Sequence, residues 1–170
     1  KTFVSYLLAQ YHQERDLPVT CIDTDPVNAS FSSFKALNVE TVELMIGNLI
    51  QQSRFDELIE RMVTEEKHFV VDNGAASFIP MSNYIIENDV VDVLTQANRQ
   101  VVVHIVISGG LGLINTVSDF NQLSSQLPAS AEIVVWLNEY FGKLEAEGKT
   151  FEEMKAYQAH KSRISGIIRL

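Results

Sequence analysis

Residues 101–107 read Val-Val-Val-His-Ile-Val-Ile, and no other feature of the 170-residue chain narrows its fold as much. Six β-branched side chains in seven positions favour a strand, and apolarity without alternation predicts a central parallel strand covered on both faces. A parallel strand needs crossover helices on either side of it. The remaining sequence supplies them. Phe3, Val4, Leu7, Leu8 and Tyr11 recur at helical spacing and predict an amphipathic helix over 1–15, which Asp16 and Pro18 end. Residues 19–23 then read as a strand.

The alternation continues to the end of the chain. Residues 31–37 predict a short helix, 39–46 a β-leaning run, 54–64 a helix striped by Phe55, Leu58, Ile59 and Met62, and 68–72 a buried strand that ends in an acid and a glycine turn. Two short helices over 80–88 and 90–99 lead to the apolar run, and Gly109, Gly110 and Gly112 turn it into a helix over 114–127. Residues 132–137 predict a strand ending at Asn138, followed by a loop to Lys149, a helix over 151–160 and a strand over 164–170. Strands alternating with helices imply a doubly wound, mostly parallel α/β sheet with right-handed crossovers. A hydrophobic content of 46% suits one globular domain over 1–170, with no repeat or linker dividing it.

Charge and cysteine usage set further limits. The net charge of −9 should repel nucleic acid and anionic lipid, which argues against direct DNA contact by this chain. Residues 143–169 are mildly basic, as an ordinary solvated helical segment can be. The single cysteine, Cys21, allows no intrachain disulfide and no cysteine-based zinc site, which fits a reducing cytoplasm. No apolar run approaches the roughly 20 residues of a membrane span, and no secretory leader is expected.

Candidate chemistry gathers where strands are expected to end. Asp23 and Asp25 lie at the carboxyl end of the first strand, where open α/β sheets bind ligands. If the chain is extended there, the two carboxylates are about 7 Å apart and repel by about 2 kcal/mol at an effective dielectric near 20. Solvent, a metal ion or the Lys1 ammonium could relieve that repulsion. Asp72 ends the 68–72 strand, Asn138 ends the 132–137 strand, and Lys1 and Thr2 head the first helix. A lysine, a hydroxyl residue and a strand-end acid are what a phosphate-binding loop site needs, at a helix amino terminus that favours phosphate.

These residues carry a family resemblance. Cys-Ile-Asp-Thr-Asp-Pro-Val-Asn-Ala at 21–29, Lys-Ala-Leu-Asn-Val at 35–39, Asp-Asn-Gly-Ala at 72–75, Val-Trp-Leu-Asn at 135–138 and Met-Lys-Ala-Tyr at 154–157 resemble TraL-type proteins of conjugative plasmids. Those are relatives of the stability protein StbB within the ParA/MinD class of deviant P-loop ATPases. The resemblance implies an ATP-binding, Mg²⁺-dependent ATPase that acts as a nucleotide switch in plasmid transfer or stability. It implies that Lys1 binds phosphate, Thr2 ligates Mg²⁺, Asp23 and Asp72 support the metal shell, Asp25 orients the attacking water and Asn138 reads the adenine edge. It further implies other plasmid transfer or partition proteins as partners, a nucleotide-dependent homodimer and a cytoplasmic, plasmid-encoded bacterial protein. A strand and a glycine-rich phosphate loop are expected ahead of Lys1 in a longer polypeptide, which is also expected to continue past Leu170.

Two other classes compete. Asp23-Thr-Asp25-Pro-Val resembles the opening of haloacid-dehalogenase-type phosphatases, with Asp23 as nucleophile and Asp25 as acid and base, although no later acidic pair follows Ser108. A non-hydrolysing ATPase fold that serves as an interaction protein is the third reading. Elsewhere the residues have simpler explanations. Gly109 to Gly112 form a strand-to-helix turn without a following lysine, His104 is a core histidine with a local partner, Trp136 is packing, and Tyr140 with Phe141 either meets a partner or packs over the sheet.

Overall fold

The computed structural model describes residues 1–25, 28, 30–47, 49–74 and 78–170. It is an α/β structure with parallel sheets, in two compact units, Lys1–Val90 and Val91–Leu170. Among the described residues no helix is long and apolar enough to cross a membrane.

The first unit opens with helix α1 (Thr2–Gln13), whose buried residues are Val4, Ser5 and Ala9. Of the apolar stripe expected from spacing, Phe3 and Tyr11 are exposed, and the Arg15 guanidinium lies 3.8 Å from the centre of the Tyr11 ring. Asp16, in the left-handed region at φ 54°, ends the helix ahead of Pro18. Strand β1 (Val19–Asp23) follows, then two 3₁₀ turns, Phe31–Ser33 and Lys35–Leu37, where a single short helix was expected. The β-leaning run over 39–46 breaks into β2 (Glu40–Thr41) and β3 (Met45–Ile46), and β3 pairs antiparallel with β4 (Leu49–Ile50). Helix α2 (Gln52–Thr64) leads to β5 (His68–Asp72), and α3 (Phe78–Glu87) closes the unit.

β1 is the middle strand of a parallel sheet in the order β2, β1, β5, and its side chains from Thr20 to Asp23 are buried. Ala9, Cys21, Phe31, Leu37 and Val70 form the core under it, with Tyr6 stacked on Phe34 at its margin. Burial raises the Cys21 thiol pKa to about 11, so it stays protonated and behaves as a small apolar side chain.

Helix α4 (Val90–Gln96) spans the unit boundary. The second unit continues with β6 (Val102–Ser108), a 3₁₀ turn at Gly110–Gly112, α5 (Leu113–Gln126) and β7 (Glu132–Asn138). A hairpin of β8 (Glu145–Ala146) and β9 (Lys149–Thr150) stands where a loop was expected. Its turn residues Glu147 and Gly148 are both left-handed, φ 51° and 72°, a pairing typical of tight hairpins. A 3₁₀ turn at Phe151–Glu153, α6 (Lys155–His160), a 3₁₀ turn at Lys161–Arg163 and β10 (Ile164–Arg169) complete the chain.

The second sheet runs β10, β7, β6, all parallel. The expected central strand is therefore an edge strand among the described residues, and β7 takes the middle. β6 has one strand neighbour, and several of its side chains stay partly exposed, whereas Ile133, Val135, Trp136 and Leu137 of β7 are buried. Continuous apolarity reports that a strand is covered on its faces and is silent on which edges are paired. Phe120 and Phe151 meet edge to face at 5.5 Å in the core of this unit.

Candidate functional site at the strand ends

The register of the first sheet places Asp23 opposite Asp72, at the carboxyl ends of neighbouring parallel strands. Two buried carboxylates at adjacent positions must be stabilised locally, because unpaired buried charge is costly. Asp23 has no exposed surface, and both of its oxygens accept backbone amides, Oδ1 from Asp25 at 3.0 Å and Oδ2 from Ser32 at 3.0 Å. The Asp72 carboxylate accepts the Ser5 hydroxyl at 3.1 Å on Oδ1. Its backbone carbonyl accepts both the amide and the hydroxyl of Thr24, at 2.9 and 3.1 Å. The chain leaving β1 is thereby tied to the end of β5.

Asp25 is half-buried, and its Oδ1 accepts the Asn28 amide at 3.0 Å. It lies against Gly74, where an added Cβ would come within 2.6 Å of the Asp25 carboxyl carbon. Only glycine at 74 accommodates that carboxylate without displacement. Lys1 is exposed and serves as the N-cap of α1 without a side-chain capping bond, while its carbonyl accepts the amides of Val4 and Ser5. Thr2 begins the helix, one turn ahead of the serine that binds Asp72. Five of the six expected site residues, Lys1, Thr2, Asp23, Asp25 and Asp72, thus belong to the first unit and to elements joined by these bonds.

Asn138 belongs to the second unit. It pairs in register with Ser108, its Oδ1 accepts the Tyr140 amide at 3.0 Å, and its carbonyl accepts the Gly109 amide at 2.9 Å. That is a turn-capping use of asparagine.

Sequence reasoning missed Ser5, Thr24, Ser32 and the packing of Gly74. Ser5 offered a signal, a hydroxyl on a helix face between Val4 and Ala9. The haloacid-dehalogenase reading is disfavoured, because a nucleophile must reach substrate and Asp23 is inaccessible with both oxygens engaged. His104 and Trp136 do prove to be local partners, the indole N–H donating to His104 Nδ1 at 2.9 Å.

The donors gathered in the first unit are all oxygens, carboxylate and hydroxyl, which suits a hard divalent cation. Among the described residues no group of three or more His, Cys, Asp or Glu could hold a metal by itself. With both Asp23 oxygens held by amides, the Asp72 carboxylate and the Thr2 hydroxyl are the donors a cation such as Mg²⁺, which keeps several waters, would have to use. A separate cleft of about 340 Å³ is lined by Thr41, Val42, Glu43, Ile46, Leu58 and Arg61 among others. The Arg61 guanidinium is occupied there, bound to both oxygens of Glu40 and to Glu65.

No family model matches the chain, and no solved structure does. Two Escherichia coli proteins, each named Protein TraL, are 47% and 46% identical to it over all 170 residues, which span 70% of each relative. The matches cover the whole chain and so both units, and on this ground the chain belongs to the TraL family.

Proposed function

We propose that this chain is the nucleotide-responsive part of a plasmid conjugal-transfer protein, one that binds Mg·ATP, hydrolyses it and changes partners as it does so. The role in transfer rests on kinship with proteins named TraL. The chemistry rests on one observation above the others: Asp23 and Asp72 end adjacent parallel strands, and Ser5 joins the helix headed by Lys1 and Thr2 to Asp72.

In this reading the Lys1 ammonium binds the terminal phosphates beside the uncapped amino end of α1, where the helix dipole favours negative charge. Thr2, with Asp72 and Asp23 behind it, holds the metal side of the site. Mg²⁺ when bound would neutralise charge on the phosphates. Asp25 orients the attacking water and accepts its hydrogen bond, held in place by Gly74 and the Asn28 amide. Asp23 acts on Asp25 from behind, through the Asp25 amide. Asn138 is assigned to the adenine edge. Other transfer or partition proteins and a nucleotide-dependent second copy are the assigned partners, in the cytoplasm of a plasmid-bearing bacterium.

Equilibrium binding of Mg·ATP and Mg·GTP to the complete gene product, followed by turnover, tests this. Asp25→Ala should retain Mg·ATP binding and lose turnover by roughly a hundredfold or more. Equal loss of binding and turnover would make Asp25 a structural or metal-holding residue. The second reading, a non-hydrolysing ATPase fold that acts as an interaction module, draws on the exposed Leu111, Tyr140 and Phe141 of the second unit. Intact binding without turnover in the unaltered protein would favour it.

A further inference from the structure

We propose that the cleft between β2 and α2 is a docking site for a short peptide segment of another protein, one in which a lysine or arginine neighbours an apolar side chain. The cleft measures about 340 Å³ and lies wholly within the first unit. That is at the lower end of the roughly 300–1,000 Å³ of ligand clefts. Its walls come from three segments: Thr41 to Glu43 at the end of β2, Ile46 of β3, and the side of α2 from Arg54 to Arg61.

These segments are held in place. Thr41 pairs in register with Asp23 of β1, the Val42 amide donates to the Asp23 carbonyl at 3.0 Å, and the Gln51 amide donates to the Leu44 carbonyl at 2.9 Å across the base of the β3–β4 hairpin. Arg61 reaches from α2 to both oxygens of Glu40, at 2.8 and 3.2 Å. A cleft formed before its ligand arrives lowers the ordering cost of binding.

Charge and polarity identify the occupant. Arg61 is bound to Glu40 and Glu65, Lys67 to Glu65, and Arg54 to Glu57 at 3.4 Å. Glu43 is the carboxylate left over, exposed and in no ion pair among the described residues. Val42 and Leu58 line the same cleft. Lysine and arginine lay an aliphatic stem on apolar surface while the charged head meets an acid, and this cleft offers both. Ile46 and Leu49 are directly opposite each other in the hairpin and are 61% and 73% exposed, so they share one face that can take the neighbouring apolar side chain. The Thr41 hydroxyl and the Gln51 carboxamide make no hydrogen bond among the described residues and can pair with peptide groups. The first unit carries fourteen acids against six lysines and arginines, so its field attracts a basic segment and repels an acidic one. None of these side chains belongs to the proposed nucleotide chemistry, and peptide binding is measured without nucleotide, so either reading can fail alone.

Fluorescence anisotropy of a labelled, end-capped peptide of alternating lysine and leucine, titrated with the complete gene product at physiological salt, tests the assignment. The expected result is saturable binding that Glu43→Lys weakens roughly tenfold or more and Ile46→Ser, at an exposed position, roughly fivefold. Glu43→Gln, which removes only the charge, should weaken it in the same direction. Glu139→Lys, an equal change of charge in the second unit, should leave binding within about twofold. Arg54→Ala, which releases Glu57, should tighten it. Absence of saturable binding overturns the proposal, as does equal binding of a lysine–serine peptide, an equal loss with Glu139→Lys, or weakening by Arg54→Ala, which would make the ligand an anion.

Discussion

In Lys1–Val90 two neighbouring strands, β1 and β5, end in carboxylates, and in Val91–Leu170 the neighbours β6 and β7 run out into glycines, an asparagine and exposed aromatic side chains. Both units contain a three-stranded parallel sheet. In the first, Asp23 and Asp72 draw the loops onto the strands through amides and hydroxyls, a polar network sealed from solvent. In the second, loop backbones touch because there are no side chains between them, and apolar groups are displayed outward. Charge divides the same way, fourteen acids and six bases in the first unit against eight and seven in the second. Similar strand arrangements therefore support two kinds of strand end, one buried and polar and one open and apolar.

The sharpest way to break this contrast is Gly109→Ala. The new methyl would collide with the Gly142 carbonyl, and the expected loss of stability is about 3 kcal/mol in a denaturant titration. Gly166→Ala, where a Cβ meets nothing within 4 Å, should stay within about 0.5 kcal/mol and so isolates the packing effect from the loss of glycine itself. A small loss at Gly109 would mean that the two loops can separate freely.

A smaller effect is expected from Asp23→Ala, which leaves the Asp25 and Ser32 amides without their acceptor and should cost roughly 2 kcal/mol. Asp23→Asn keeps one acceptor oxygen and should fall between the two. Were Asp23→Ala stabilising instead, repulsion between Asp23 and Asp72 would outweigh the amide bonds, and the first unit would be a site strained in the absence of a cation.

The smallest effect concerns acid. Burial pushes the His104 imidazole below its ordinary range in the second unit. In the first unit burial does the same to His12, helped by the neighbouring His68, stacked at 4.3 Å, and by Arg15. Because the folded-state values are depressed, the unfolded chain binds more protons just below about pH 6.5, so stability is full above that pH and declines as pH falls through the folded values. His104→Gln, whose carbonyl oxygen can accept the Trp136 indole proton, and His12→Gln should each flatten this decline in melting temperature against pH. If neither does, carboxylates rather than these imidazoles govern the acid response.

Much of the fold was legible because it rests on local patterns. The β-branched run at 19–23, the stripe of Phe55 and Leu58, and the apolar run at 101–107 announce their elements through periodicity alone. Misread segments were those decided by contacts distant in sequence. The β8–β9 hairpin has only two residues per strand, too few to show alternation, and the 39–46 run was too short to reveal its break into two pairings. At the candidate site the acids could be named from their position after a strand, but their partners could not. Ser5 is 67 residues from Asp72, and its place on the buried helix face between Val4 and Ala9 does not say which residue it bonds.

The sequence by itself determined the class of this protein, the alternation of helix and strand, the acids at strand ends and the kinship to TraL carried by its motifs. Side-chain shape and periodicity act over a few residues, so they can be read from the order of residues alone. Tertiary structure decided the rest: that Asp23 and Asp72 face each other, that both oxygens of Asp23 are engaged, that among the described residues β7 rather than β6 has neighbours on both sides, and that three glycines bring two loops together beside exposed apolar side chains. Each of these depends on strand register and on backbone approach between distant segments, and those distances exist only once the sheets have formed.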